Sequence, residues 1–175
     1  MHAASPLSLS VMMNIDKLNP FSRSFFDGLS RSFPDLASKA VNDDNDKVAT
    51  GSLLIEFSPD ASRPDSVFWI STDNEEVTIG FDQYHSHFDW PAEYSDWQMN
   101  PLTFIDALLH DRILVEVWKK AGQWTGSSVL EANEEPDISG MEKDHVLILR
   151  SWSGRLDRVY TYSNKTGQQG NQGDG

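Results

Sequence analysis

The sequence predicts an α+β domain: a mostly antiparallel β-sheet of about six to seven strands with one or two flanking helices. Two observations point there. Strand-like runs come in groups instead of alternating singly with helices, and two segments pair an Asn-Pro start with helical apolar spacing. A length of 175 residues fits one domain of ~100–200 residues, long enough for a core that needs no staples. The chain has no cysteine, which excludes thiolate catalysis, Cys-based zinc sites and a disulfide scaffold, and suits a reducing cytoplasm.

Residues 1 to 13 lack a basic n-region, and their apolar run is broken by serines and Pro6. They are expected to be a disordered leader, not a secretory signal. Residues 14 to 163 form the expected domain. Its first helix starts at Asn19 and Pro20, carries apolar residues at Phe21, Phe25, Phe26, Leu29 and Phe33, and is broken by Pro34. A polar loop over 42–47 follows, then strand candidates at 51–57, 66–72 and 75–81. A second helix runs from Asn100 and Pro101 to His110, with Leu102, Ile105, Leu108 and Leu109 on its apolar face. Further strands are expected at 112–120, 123–132, 145–152 and 155–162, with hairpin turns at 120–123 and 153–155 and an acidic loop over 133–144. Residues 164 to 175, rich in Gly, Gln and Asn, are expected to be a disordered tail.

Charge narrows the function classes. Acids outnumber Lys and Arg 27 to 14, a formal net charge of −13. Nucleic-acid phosphates need clustered bases, so such a surface predicts no nucleic-acid partner. No apolar run approaches the ~20 residues that span a bilayer, so no membrane association is expected. The imbalance is concentrated. Between Arg63 and Arg112 there is no Lys or Arg, but there are Asp65, Asp73, Glu75, Glu76, Asp82, Asp89, Glu93, Asp96, Asp106 and Asp111. Nine of the nineteen aromatics fall in the same window.

Its densest part, residues 77 to 97, holds His85 and His87 one residue apart. If the strand from Val77 continues through them, both imidazoles face one way. Such a pair can chelate a divalent metal, with Asp82, Asp89, Glu93, His110 or His145 as third ligand. The pattern is similar to the first cupin motif, but Gly80 and Glu93 each miss the required spacing and the second cupin motif is absent. No P-loop, dinucleotide fingerprint or nucleophile elbow is present. The aromatics support a binding surface instead. Tyr and Trp are favoured interface anchors, and surrounding acids steer a basic partner. Phe81, Phe88 and Trp90 are expected mostly in the core, and Tyr84, Tyr94 and Trp97 at the surface.

Gly80, Phe81, Asp82, His85, His87, Phe88 and Trp90, followed by a capped helix and a β-hairpin, also carry a resemblance. Over residues 48 to 160 the chain resembles small bacterial proteins encoded beside polymorphic toxins and treated as immunity proteins. That resemblance implies stoichiometric inhibition of a cognate toxin domain, without turnover.

The sequence reading is therefore an acidic cytoplasmic protein that binds a basic protein, a toxin domain being the candidate, and is not an enzyme. The expected contact residues are Asp82, Tyr84, His85, His87, Asp89, Trp90, Glu93, Tyr94, Asp96 and Trp97, with no cofactor. The alternative is a metal-dependent enzyme or metal-binding protein that uses His85 and His87 with a divalent metal.

Overall fold

The computed structural model describes residues 13–43, 50–64, 66–73 and 75–162. The expected tail and residues 1–12 of the expected leader lie outside the described residues. Met13, assigned to the leader, packs against the core.

After a single 3-10 turn over Ile15–Lys17, two α-helices follow. Helix α1 (Pro20–Ser32) starts where Asn19 Oδ1 accepts from the Ser22 amide at 2.8 Å, satisfying a donor that the first turn leaves unpaired. It buries Phe25 and Leu29. Pro34 then begins a separate short helix α2 (Pro34–Ala37), because proline cannot continue the hydrogen-bonded turn before it.

Among the described residues nine strands follow in two antiparallel sheets, where a single sheet of about six to seven is expected. The first sheet is a meander of β1 (Val41–Asp43), β2 (Ser52–Phe57), β3 (Phe68–Asp73), β4 (Glu76–Phe81) and β5 (Tyr84–Asp89). The second contains β6 (Ile113–Lys120), β7 (Gln123–Glu131), β8 (His145–Arg150) and β9 (Arg158–Thr161), in the order β7-β6-β8-β9. Strand β1 begins where the polar loop is expected. Strand β5 is separate from β4, because Asp82 adopts φ 54° and turns the chain back after Phe81. The expected hairpin at 120–123 forms with Ala121 and Gly122 both at positive φ.

The main core lies between the sheets. Leu53, Ile55, Phe68, Ile70, Val77, Ile79, Phe81 and Phe88 project from one face of the first sheet. They meet α1, helix α3 (Pro101–Leu109) and Ile113, Val115 and Val117 of β6. Helix α3 turns the expected face inward, widened by Phe104 and Ala107. Phe104 and Ala107 are buried with Ile105 and Leu108, and Leu102 and Leu109 stand at the margin. The far side of the second sheet is covered too. Leu114, Leu147 and Leu149 pack there with Met141, Ile138 and Ala132, on or beside the 133–144 loop. The far side of the first sheet has no such cover among the described residues. Among the described residues no helix is long and apolar enough to cross a membrane.

Candidate binding face

Strand register assigns the uncovered side. Glu56, Trp69, Gly80 and His85 lie in one row across β2 to β5. Leu54, Ser71, Thr78 and His87 form the next, and Asp73, Glu76 and Asp89 the third. Residues paired across antiparallel strands share a face, so all of these point away from the core. No described outward position on β1 to β5 is Lys or Arg.

Gly80 explains how the face is shaped. A Cβ at this position would collide with the Trp69 indole, so the ring lies across the backbone of β4. The His85 ring follows at 6.1 Å, and His87 lies 5.3 Å from His85. Trp69, His85 and His87 form a continuous ring-bearing strip. His87 Nδ1 is 2.5 Å from Glu76 Oε1 and 3.2 Å from the Thr78 hydroxyl, which orients the imidazole along the sheet. Glu56, Asp73 and Asp89 make no ion pair among the described residues, so their charge faces solvent.

The expected contact residues divide among several places. His85, His87 and Asp89 are exposed on this face. Glu93, Tyr94 and Asp96 are exposed in the segment after β5, with Tyr94 60% accessible. Asp96 also accepts from the Gln98 amide at 2.9 Å, shaping that segment. The remaining four are engaged internally. Asp82 is 3.3 Å from Arg150 and 3.3 Å from the Ser66 hydroxyl, tying the two sheets together. Trp90 packs edge-on to Phe25, sits against Gly28, and donates Nε1–H to the Ser24 hydroxyl at 3.1 Å.

Tyr84 and Trp97 correct the expectation of exposure. Both rings lie beside Phe104, at 6.2 Å and 6.3 Å, and are half-buried. Their polar neighbours in sequence gave no hint, because Tyr84 meets α3 from a separate strand and Trp97 folds back onto the helix that begins just after it. Trp69 is the residue that sequence reasoning missed. An isolated glycine inside a strand signals close approach by another group, but only the register names that group.

The histidine pair does share a face, and no third ligand completes it among the described residues. The acid and histidine group compact enough to hold an ion is instead Glu142, Asp144 and His145, with ligand atoms within 4.8 Å of one another. The Lys120 ammonium already stands 2.9 Å from Glu142 there. Their hydrogen bond, the largest cause in each case, holds the Glu142 carboxyl below its ordinary pKa and raises Lys120 above its own. His110 is turned to Asp106, 3.1 Å away. His145 belongs to the second sheet and His110 caps α3, so neither joins the pair as a ligand.

Clefts line the segment after β5. One of about 500 Å³ lies between Trp97, Thr103, Arg112 and Glu131. A second, about 240 Å³, lies between Tyr84, Phe88, Phe104 and Val129. A third, about 180 Å³, is bounded by Glu76, His87, Asp89 and Met99. The second and third share Phe88 and Gln98, so they lie on either side of β5.

Compared with known proteins, the chain matches no family model, no curated protein and no solved structure.

Proposed function

We propose that this protein is an acidic binder that neutralises a basic protein partner, with a bacterial toxin domain as the partner and immunity as the role. One observation carries the reading: a sheet face left uncovered, with Trp69, His85 and His87 set among Glu56, Asp73, Glu76 and Asp89 and no outward base among the described residues. The physical logic is complementarity. Unpaired carboxylates raise the encounter rate with a basic surface, and aromatic area slows dissociation once contact is made. A Lys or Arg of the partner can lie over the Trp69 indole, where a cation gains from the ring's negative face. The exposed Glu93, Tyr94 and Asp96 extend the same surface. Tyr84, Trp90 and Trp97 support it from beneath and are not its anchors. The same acids disfavour nucleic-acid phosphates, and a cytoplasmic location suits the cysteine-free chain.

The test is to co-express the protein with the product of a neighbouring gene that carries a toxin-like domain. Rescue of growth and co-purification are expected. A toxic neighbour that is neither rescued nor co-purified overturns the immunity role. In the purified complex, Trp69→Ala should cost about 2–4 kcal/mol of affinity. Replacing Glu56, Asp73 and Asp89 by their amides should slow association and flatten its salt dependence.

A further inference from the structure

Among the described residues the first sheet ends at β5, with β4 on one side and no strand on the other. Hydrogen-bond parity shows which backbone groups are left over. The Asp82 amide donates to the Val67 carbonyl at 3.0 Å, so even-numbered residues of β4 bond to β3. Odd-numbered ones therefore bond to β5, pairing Val77 with Phe88, Ile79 with Ser86 and Phe81 with Tyr84. The amides and carbonyls of His85, His87 and Asp89 point outward instead, and no other backbone group among the described residues bonds them.

Within Tyr84–Asp89 this edge carries no lysine, no proline and no bulge, three of the devices that blunt an exposed strand, and Gln98 of the following segment, which lines the clefts on both sides, stands beside its Phe88 end. Clefts flank it on both faces. Toward the core, the cleft of about 240 Å³ is walled by Tyr84, Phe88, Phe104 and Val129. Toward the open face, the smaller one is walled by Glu76, His87 and Asp89.

Resting on the reading of a basic partner, we propose that β5 receives an extended segment of that partner as a sixth strand. Successive side chains of a strand alternate faces. The occupant that fits therefore alternates apolar residues, which enter the inner cleft, with Lys or Arg residues, which face Glu76 and Asp89. Main-chain bonds to His85, His87 and Asp89 supply affinity, and the two unlike clefts supply register.

The probes are two synthetic peptides of equal composition, one alternating Leu and Lys and one with the same residues in blocks, measured by titration and by amide hydrogen exchange. The alternating peptide should bind at least about tenfold more tightly than the blocked one, since only its register satisfies both clefts. The His85, His87 and Asp89 amides should gain protection in that complex. His87→Pro deletes an outward amide and spares the β4 ladder, so it should abolish the preference. Ser86→Leu, which fills the inner cleft without touching a backbone donor, should do the same if the proline variant does not fold. Equal binding of both peptides, or binding without protection of those amides, overturns strand addition and leaves the basic-partner reading standing. Binding of neither basic peptide overturns both.

Discussion

The two sheets differ in how their acids are partnered. Around the second sheet three acids stand against bases, Glu142 against Lys120 at 2.9 Å, Glu135 against Arg158 at 3.2 Å and Asp157 against Arg150 at 3.1 Å, while Glu131 and Glu134 make no ion pair among the described residues. On the open face of the first sheet the nearest equivalent is His87 beside Glu76, and Glu56, Asp73 and Asp89 have no cation among the described residues. Cover follows the same division. Residues of the 133–144 loop close the far side of the second sheet, and the far side of the first carries ring-bearing residues in the open. Charges left unpaired on a wide face favour solubility, but they repel one another and so work against the compact state.

Several measurements would break or sharpen that contrast. The largest effect should come from the core that the sheets share. Phe104→Ala removes contacts to Tyr84, Phe88 and Trp97 and should cost about 3–5 kcal/mol, with both sheets unfolding in one transition in denaturant. Separate transitions would mean that the sheets are independent units. Met141→Ala acts on the smaller cluster and should cost about 2–3 kcal/mol. Hydrogen exchange should show the 133–144 loop opening before the strands beneath it.

Two substitutions address how each sheet holds its face. Gly80→Ala forces the Trp69 indole off β4 and should cost about 1–3 kcal/mol, with a red shift in tryptophan emission as the ring enters water. Unchanged emission would show that the ring does not depend on the glycine. Arg150→Ala leaves Asp82 and Asp157 short of a partner, which should cost about 1–2 kcal/mol in a chemical-denaturation series.

The smallest effect concerns the solvated pair in the second sheet. The Glu142 carboxyl is held down chiefly by the Lys120 hydrogen bond, so its stabilisation exists above the ordinary carboxyl pKa. It is lost as pH falls through the lowered value. Lys120, raised by the same bond, contributes below its ordinary pKa and loses that contribution as pH rises through the raised one. Urea midpoints of the protein and of Glu142→Gln should therefore differ slightly at neutral pH and converge in strong acid. A difference that persists in acid would assign the effect to packing.

Local order was readable because its causes are local. Asn100 Oδ1 accepts from the Leu102 amide at 2.9 Å, and Asn19 caps α1 in the same manner, so both helix starts follow from a dipeptide. The 120–123 turn follows from Ala-Gly at positive φ, and the strands from their alternation. The candidate site was only partly readable. His85 and His87 share a face, as period-2 geometry requires. Trp90 and Trp97 look alike in sequence to the exposed Tyr94, yet α1 and α3 pack against them.

By itself, then, the sequence determined the α+β class, the helix starts, most strand positions and the concentration of acid and aromatic residues between Arg63 and Arg112. Each depends on neighbours within a few residues or on composition alone. The tertiary structure decided that the strands part into two sheets and that Asp82 pairs with Arg150. It also decided that Trp69, fifteen or more residues from the histidines, joins their face. These outcomes rest on which distant segments pack together, and a tight turn fixes register only between the two strands it joins, not between strands and helices far apart in the chain.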